Sequence, residues 1–341
     1  MNGNYESLVK LSQEIERIET VKKDFLVPTK DAEMIEDNFI HFGGKEDFKI
    51  DDLAHNQLSS YTGIPKKYYD RMEAIPGLRT QNVNAWLHNN TEDRRLIRTL
   101  DNKVRAILSD SYKPVDHMLI LKAFLPAIYE HTDLMVKASA LTSSRLYLQI
   151  VFPKIEGEVE KGDIVQAGIT LTNSETGQGA VDISTFLYRL VCRNGMIGES
   201  ILRKIHLGRK IGEEIQDYDI FTDETIKAEM ESFRLRLRDT IKYAFSEASF
   251  NNQLLHMRKA AGIAVQNPQA VCKEVTKRYG LTSSESDAQM NNFFKEKTTA
   301  WGLANSLTAL AHTIENSDRQ YQMECNGNEI MLKPEEWERI I

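Results

Sequence analysis

Residues 163–196 carry the clearest structural signal in the chain and read DIVQAGITLTNSETGQGAVDISTFLYRLVCRNGM. Apolar residues alternate with polar or small residues from Val165 to Leu171, which is the period of a half-buried strand. The next residues, 173–179, read NSETGQG and are rich in types that favour turns. Apolar residues resume after this turn, so the stretch predicts a β-hairpin, which we call the 163–196 hairpin.

The second strand of this hairpin contains an irregularity. Its apolar positions begin on odd numbers, Val181 and Ile183, and move to even numbers from Phe186 onwards. Such a change of phase indicates an extra residue in the pairing of two strands. We therefore expect a β-bulge near Ser184 and Thr185.

Patterns upstream of this hairpin predict the remaining strands. Alternating residues predict a tight hairpin over 96–109, which turns on Asp101-Asn102, and a further strand pair over 134–152. Helical spacing predicts a helix over 115–129, between these two pairs. We therefore expect an α+β fold with a mainly antiparallel, meandering sheet and inserted helices.

The C-terminal part has a different period. Beyond Phe221 apolar residues recur about every 3.6 residues, which predicts a helical C-terminal part. The change divides the chain into an α+β domain over 1–218 and a helical part over 219–341 that packs on the first. Residues 321–332 are an exception, because Asn326-Gly327 is a typical hairpin turn and predicts two short strands.

The composition limits the class of protein. With 341 residues, 41% of them hydrophobic, the chain can build one large domain or two modest ones. Its net charge of -7 excludes a basic field over the whole surface. Three widely separated cysteines indicate a reduced cytoplasm rather than a disulfide framework. We expect a cytoplasmic protein that does not bind membranes, because no stretch approaches the roughly 18 apolar residues of a span and the first residues do not resemble a secretory signal.

Short motifs spread along the chain make it similar to a known family. They are Thr62-Gly63-Ile64-Pro65 with Tyr68-Tyr69, then residues 82–87 (NVNAWL), 100–106 (LDNKVRA), 112–114 (YKP), 188–196 (YRLVCRNGM) and 301–305 (WGLAN). With these motifs the chain resembles the phage/plasmid-like family catalogued as domain of unknown function 932, over most of its length. The resemblance implies a gene carried by phages, plasmids and integrated elements, and it implies no established activity.

Motifs of common enzymes are absent from the sequence. It contains no GxxxxGK[ST] phosphate loop, no HExxH zinc helix and no GxSxG nucleophile elbow, and its eight histidines have no metal-ligand spacing. Cys192 and His206 would make a nucleophile and a base if they met. Cys192 is better explained as a small core residue, because it shares its predicted strand face with Phe186 and Tyr188. We therefore favour a protein without catalytic residues, metal or cofactor.

Cationic residues cluster locally despite the acidic total. Cationic side chains on a β-strand, with aromatic residues nearby, can bind single-stranded nucleic acid, because bases stack on the aromatic rings and the cations neutralise phosphates. The cations of the 96–109 hairpin would lie beside those in and after the 163–196 hairpin if both hairpins joined one sheet. The alternative is a sheet face exposed to solvent, whose positive charge is balanced by acidic residues from elsewhere in the chain. The predicted nucleic-acid-binding residues are Arg98, Lys103, Arg105, Arg189, Arg193, Arg203, Lys204, Arg209 and Lys210, and Arg94, Arg95 and Tyr112 lie near them in sequence.

The turn of the 163–196 hairpin is a second candidate site, formed by Asn173, Ser174 and Glu175. Glu175 is its one carboxylate and would bind a metal ion or an amine, although a loop glutamate is more often solvated or caps a backbone N–H. Strand pairing carries Arg189 and Arg193 away from this turn at roughly 3.3 Å per residue. The turn and the arginines therefore meet only if several copies of the chain assemble.

Three functions are compatible with these patterns. We favour a nucleic-acid-binding protein of a phage or another mobile element, which binds or anneals single-stranded DNA as a homo-oligomer. The first alternative is a non-enzymatic interaction protein that engages a host factor, such as a defence protein, through its acidic helical half. The second alternative is an enzyme whose site combines residues 173–179 with 189–194. Nothing in the sequence requires catalysis.

Overall fold

The structure is a computed structural model that describes residues 2–89, 93–112, 114–129, 133–204, 223–244 and 246–340. Its helices are α1 (Asn2–Val21), α2 (Asp52–Tyr61), α3 (Lys66–Arg71), α4 (Leu78–Leu87), α5 (His117–Tyr129), α6 (Asp223–Ala244), α7 (Glu247–Gly262), α8 (Pro268–Tyr279), α9 (Ser283–Phe293), α10 (Ala300–Ala311) and α11 (Ser317–Leu332). Its strands are β1 (Lys23–Pro28), β2 (Ala32–Glu36), β3 (Phe39–Phe42), β4 (Asp47–Ile50), β5 (Arg94–Leu100), β6 (Lys103–Ser109), β7 (Met135–Leu141), β8 (Leu146–Glu158), β9 (Ile164–Asn173), β10 (Val181–Arg189) and β11 (Asn194–Lys204). The fold is α+β, as the sequence predicts.

One sheet, the meander sheet, contains β7 to β11 in chain order, and all these pairings are antiparallel. The 163–196 hairpin forms β9 and β10, so its prediction is confirmed. An irregularity lies beside Ser184, because the pairing of β10 with β11 shifts register on both sides of this residue. The pairing of β10 with β9 is regular over the same residues. The extra residues therefore belong to the outer strand, β11, and the prediction of an extra residue in β10 is wrong.

The other sheet, the N-terminal sheet, has the strand order β1-β5-β6-β4-β3-β2. The hairpin predicted over 96–109 forms β5 and β6, and Asp101 and Asn102 turn between them with φ angles of 49° and 60°. β4 pairs with β6 in parallel, whereas the other pairings described in this sheet are antiparallel. The 96–109 hairpin and the 163–196 hairpin thus belong to different sheets. The prediction that their cations lie side by side in one sheet is wrong.

Helices cover both faces of the meander sheet. On one face Ile150 belongs to a core that includes residues of α1, α5 and α6. On the opposite face the next residue, Val151, shares a cluster with Tyr321 of α11, as the alternation of side chains along a strand requires. The other C-terminal helices share a core with Val165 of β9. The boundary predicted at residue 218 lies outside the described residues.

One prediction within the 163–196 hairpin is wrong. β10 ends at Arg189, and Cys192 lies exposed in the turn that leads to β11 rather than in a core. Arg193 belongs to this turn and has a φ of 56°, a left-handed conformation that is foreign to a strand. The apolar pattern continues past the end of the strand because Leu190 and Val191 are apolar residues of an exposed turn.

The hairpin predicted over 321–332 is also wrong, because these residues belong to α11. Asn326-Gly327 lies inside the helix. Gly327 packs so closely against α10 that a Cβ atom there would stand 2.6 Å from Thr308 Cγ2. A glycine that suits a turn also allows two helices to approach closely, and here the contact between helices outweighs the local turn preference.

Arg189 fastens the end of β10 to the C-terminal helices. Its Nε donates to Asp163 Oδ1 at 2.6 Å, and its Nη1 donates to Glu296 Oε1 at 2.7 Å. Trp301 of α10 donates from Nε1 to Asp163 Oδ2 at 2.8 Å. Arg189 is buried, so these residues form a hydrogen-bonded ion-pair network with little access to water. The network brings together two of the sequence motifs, YRLVCRNGM and WGLAN.

Replacing Arg189 with methionine should destabilise the protein strongly. The change leaves Asp163 buried without its cation, which costs roughly 3 kcal/mol of unfolding free energy. Urea unfolding followed by circular dichroism measures the loss. Arg193→Met is the matched control, because Arg193 is exposed in the adjacent turn, and it should change the unfolding free energy by less than about 0.5 kcal/mol. Equal losses in both variants would contradict the anchoring role of Arg189.

Candidate functional site

The turn between β9 and β10 is buried rather than solvated. Asn173, Ser174, Glu175 and Thr176 are each no more than 2% exposed. The N-terminal sheet and the start of α5 both provide polar partners for this turn. Glu175 is therefore not solvated, and it has the other structural role expected for a loop glutamate, the capping of a backbone N–H.

Glu175 caps helix α5. Its Oε1 accepts a hydrogen bond from the backbone N–H of His117, the first helical residue, at 2.6 Å. Its Oε2 accepts from Arg105 Nη1 at 2.8 Å, and its carbonyl oxygen accepts from Arg98 Nη1 at 2.8 Å. The free N–H groups and the dipole of a helix favour a carboxylate at this place. Burial would raise the pKa of Glu175, but the charge of Arg105 and the backbone N–H of His117 outweigh burial and hold that pKa below its ordinary value.

Arg98 joins this turn to acidic residues of two other segments. Its side chain is fully buried and pairs with Asp24 Oδ2 at 2.7 Å and with Asp116 Oδ1 at 2.8 Å. Lys22 Nζ also donates to Asp116, at 2.5 Å. Burial would raise the pKa of Asp116, but Arg98 and Lys22 keep it below its ordinary value. The group formed by Asp24, Arg98, Arg105, Asp116, His117 and Glu175 is called the Glu175 cluster below.

A β-bulge turns Arg105 towards the cluster. The register of β5 against β6 shifts between Arg98 and Thr99, which leaves Arg105 without a residue opposite it. A bulged residue can direct its side chain out of the regular alternation. Arg105 Nη1 donates to Glu175, while Nε and Nη2 are buried without hydrogen-bond partners among the described residues.

His117 is a neutral ring within this cluster. Asn173 Nδ2 lies 2.8 Å from His117 Nδ1, and because an amide nitrogen only donates, the ring nitrogen accepts and carries no proton. Burial lowers the pKa of His117 to about 4, against the opposing effect of Glu175. A neutral ring avoids placing a further positive charge beside Arg105.

The buried turn continues into one wall of an open groove. The groove has a volume of about 1050 Å³ and lies between α2 and residues 177–180, next to the end of β6. Gln57 of α2 connects its walls, because Nε2 donates to the Thr176 carbonyl at 2.7 Å and Oε1 accepts from a backbone N–H of β6 at 2.8 Å. Gly177 has a φ of +79°, and a Cβ there would stand 2.7 Å from Leu108 Cδ2. The wall therefore requires glycine at this position.

An arginine stacks on a tyrosine in this groove. The guanidinium carbon of Arg95 lies 3.8 Å from the centroid of the Tyr61 ring. Tyr61 Oη donates to Asp93 Oδ2 at 3.0 Å, which orients the ring. Arg95 Nε has no hydrogen-bond partner within the described part of the chain. Of the described residues that line the groove, Arg95 is the one with a charged side chain.

The structure separates the residues that the sequence groups as nucleic-acid-binding. Three of them lie in buried ion pairs, namely Arg98, Arg105 and Arg189. Two others lie exposed at the turns of different hairpins, namely Lys103 and Arg193. Arg203 and Lys204 end β11, opposite Asp182 and Val181. Arg209 and Lys210 lie outside the described residues.

Two further findings concern metals and membranes. Within the described ranges, no three His, Cys, Asp or Glu side chains are grouped so that they could hold a metal ion. No helix in the same ranges combines the length and the apolar character needed to cross a membrane.

The sequence does not single out the partners of Arg98. Asp24 and Asp116 are two acids among 50, and their pairing joins distant segments. Asp116 has a weak local signal, because it directly precedes the first residue of α5, where acidic residues often cap helices. Asp24 has no such signal. Tyr61 lies directly before the TGIP motif, but nothing in the sequence pairs it with Arg95.

Comparison with protein families places most of the chain in one family. The model described as domain of unknown function (DUF932) matches residues 105–324, nearly two thirds of the chain. The match includes the meander sheet, the Glu175 turn and the Arg189 network, and it leaves out Tyr61 and Arg95. No curated protein matches the chain, and no solved structure matches it.

Acidification should destabilise the protein through His117. The pKa of this ring is about 4 in the folded protein and about 6.5 in the unfolded chain, so the unfolded chain binds the proton first as the pH falls. The contribution of His117 to stability is complete above about pH 6.5 and decreases by about 2 kcal/mol between pH 6.5 and pH 5. Urea unfolding at neutral and acidic pH measures this decrease.

His117→Gln isolates the contribution of the ring. Glutamine keeps an acceptor for Asn173 but does not titrate, so the variant should lose less stability on acidification than the wild type. His55, whose pKa burial also lowers to about 4, accounts for part of the remaining loss, and the variant with both histidines replaced should lose least. An equal loss in the wild type and in His117→Gln would show that the ring is not a buried neutral group.

Proposed function

We propose that this chain, which belongs to the DUF932 family, binds single-stranded nucleic acid in the groove between α2 and residues 177–180. The observation that carries the proposal is the stack of Arg95 on Tyr61, in which Arg95 Nε has no partner among the described residues. The resemblance to a phage/plasmid-like family supports the proposal, since mobile elements often expose single-stranded nucleic acid. In that setting the protein would bind or anneal such strands.

The stacked pair suits a base chemically. Bases stack on aromatic rings and on guanidinium planes, and each stacked base contributes roughly 1–3 kcal/mol. A base can extend the stack on the outer face of Arg95 or take the place of the guanidinium on Tyr61. In either position the guanidinium supplies a positive charge beside the base, whereas Nε itself is shielded from water. Stacking and positive charge are thus supplied at one place.

The size and polarity of the groove favour a strand over a small anion. Its volume of about 1050 Å³ lies at the upper end of the roughly 300–1000 Å³ that is typical of small-molecule pockets. Asn56, Ser60 and Gln178 line it with amides and a hydroxyl, which can bind base edges. With one cation in the described lining, few phosphates are neutralised, so we expect a shallow salt dependence, with a slope of about −0.7 for each phosphate contacted.

The buried arginines have a positioning role in this proposal. Arg98 and Arg105 hold the Glu175 turn, and the same segment continues at Gly177 into the wall of the groove. Both guanidinium groups are ion-paired with acidic residues of the protein and lie away from water. They act on binding through the shape of the groove and not through contact with phosphate.

Assembly would be needed to bring Arg193 to the groove. Its strand neighbour Arg189 pairs with Val165, which lies eight residues before Asn173 in β9, or roughly 26 Å along the strand. In a homo-oligomer the exposed turn of one copy can approach the groove of the next copy. We propose this arrangement together with strand binding, and the mass of the protein in solution tests it.

Engagement of a host factor is the alternative function. Three large apolar side chains of the helical part are 52–62% exposed, namely Phe294, Tyr243 and Leu255. Exposed apolar residues serve protein interfaces when they are grouped. This alternative requires a protein that captures a host partner and does not bind nucleic acid.

Arg95→Ala should weaken the binding of single-stranded DNA by roughly tenfold, because it removes a cation and a stacking plane worth about 1–3 kcal/mol. Fluorescence polarisation of a labelled oligonucleotide at low and moderate salt measures the affinity. Arg94→Ala is the matched control, since it removes the same charge from an exposed neighbour that does not line the groove. Its effect should be much smaller.

Other outcomes would contradict the groove as the binding site. Equal losses in Arg94→Ala and Arg95→Ala would show that general charge, and not the stack, determines affinity. No binding by the wild type at low salt would overturn strand binding and favour the host-factor alternative. Arg95→Lys keeps the charge but loses the planar group, so it should bind with an intermediate affinity. Circular dichroism of each variant verifies that the fold is intact.

A further inference from the structure

A second pocket lies at the edge of the meander sheet. It has a volume of about 280 Å³, and its walls come from β11, α7 and the end of α11. Its lining shares no residue with the groove or with the Glu175 cluster. Any ligand of this pocket is therefore recognised independently of the proposed strand-binding site.

The irregular register of β11 shapes this pocket. The extra residues of β11 lie between Gly198 and Ile201, and this segment forms one wall. Bulges bend a strand and re-aim its side chains, and they are frequent next to binding sites. Gly198 is required in this wall, because a Cβ atom there would overlap Thr185 Oγ1 and would lie 3.4 Å from Gln253 Oε1. The backbone of β11 thus passes close to the side chain of Gln253.

One buried acceptor in the pocket lacks a donor. Gln253 Oε1 is shielded from water and accepts no hydrogen bond from the residues that the structure describes. The other end of the same amide, Nε2, donates to the Ser249 carbonyl at a long distance of 3.5 Å. A buried acceptor without a donor destabilises a folded protein unless something else satisfies it. A ligand with an N–H group would do so.

The remaining lining is rich in amides, hydroxyls and rings. Asn252 and Asn328 add two amides to that of Gln253, and Tyr243 and His256 add two rings. Neither Lys nor Arg occurs among the described residues of the lining, and Glu199 is its one acid. The pocket therefore offers no cation to a phosphate group. Amide side chains present a donor and an acceptor side by side, which is the pattern that recognises the edge of a base.

We infer that this pocket binds a nucleobase through the amides of Asn252, Gln253 and Asn328. Purines and pyrimidines combine a flat ring with N–H donors and with C=O or ring-nitrogen acceptors, so they satisfy Gln253 and pair with the other amides. A volume of about 280 Å³ is at the small end of the roughly 300–1000 Å³ of ligand pockets, which limits the ligand to about one base with its sugar. A nucleoside and an unpaired base of a strand present the same edges.

The test is a titration of ribonucleosides and of their 5′-monophosphates into the full chain, followed by calorimetry. We expect at least one nucleoside to bind and its monophosphate to bind no more tightly. Asn252→Ala should weaken nucleoside binding by roughly fivefold or more, since it removes hydrogen bonds to the base. Asn251→Ala is the matched control, because Asn251 is the exposed neighbour on α7 and does not line the pocket.

Gln253→Leu separates recognition from folding. Leucine fills a similar volume without a polar atom, so the variant should unfold at the temperature of the wild type or above it and should lose nucleoside binding. Absence of binding by every nucleoside at millimolar concentration would overturn the inference. Unchanged affinity in both Asn252→Ala and Gln253→Leu would also overturn it, as would monophosphates that bind much more tightly than nucleosides.

Oligonucleotides with and without an abasic position distinguish the two sources of the base. If a strand supplies it, Asn252→Ala weakens binding of the normal oligonucleotide but not of the abasic one. If a free nucleoside is the ligand, Asn252→Ala abolishes nucleoside binding and leaves both oligonucleotides unaffected. Either result supports base recognition at this pocket. Arg95→Ala should leave nucleoside binding unchanged, so the failure of one proposal is distinguishable from the failure of the other.

Discussion

The burial of Glu175 at the start of α5 is the constraint on which the rest of the structure depends. A carboxylate that is only 2% exposed is tolerated when cations and N–H donors surround it. Arg105 and the backbone N–H of His117 provide these groups, and Arg98 binds the carbonyl of the same residue. Because the partners come from β5, β6 and α5, the turn of the meander sheet is hydrogen-bonded to the N-terminal sheet and to α5.

Buried ion pairs explain why basic stretches of the sequence do not produce a continuous basic surface. Arg98 is paired with two acids inside the protein, and Arg189 is paired with two others. These cations hold distant segments together and are not available to a phosphate. Arg95 differs from these cations, because it rests on the ring of Tyr61 and its ion pair with Asp93, at 3.5 Å, is partly exposed to solvent. The acidic net charge of -7 fits the proposed strand binding, which would rely more on stacking than on many phosphate contacts.

Local patterns in the sequence were sufficient where neighbouring residues determine the conformation. The turn at Asp101-Asn102 and the pairing of β9 with β10 follow from turn chemistry and from the side-chain period of a strand. The same reasoning was wrong at Cys192 and at Asn326-Gly327. At Cys192 the apolar alternation continued into an exposed turn. At Gly327 the close contact with α10 stabilised a helix in a segment whose turn signal predicted a hairpin.

The candidate site was predictable only in part. The sequence marks residues 173–175 and the basic strands as unusual, and it defines the elements that contain them. No pattern in the sequence indicates that Arg98 pairs with Asp24, 74 residues away, or binds the carbonyl of Glu175, 77 residues away. It also does not show that Arg95 stacks on Tyr61. Residues close in sequence determine the preference for helix or strand, whereas burial and ion pairing are set when distant segments pack together. Only the tertiary structure therefore distinguishes a cation that anchors the fold from one that faces the solvent.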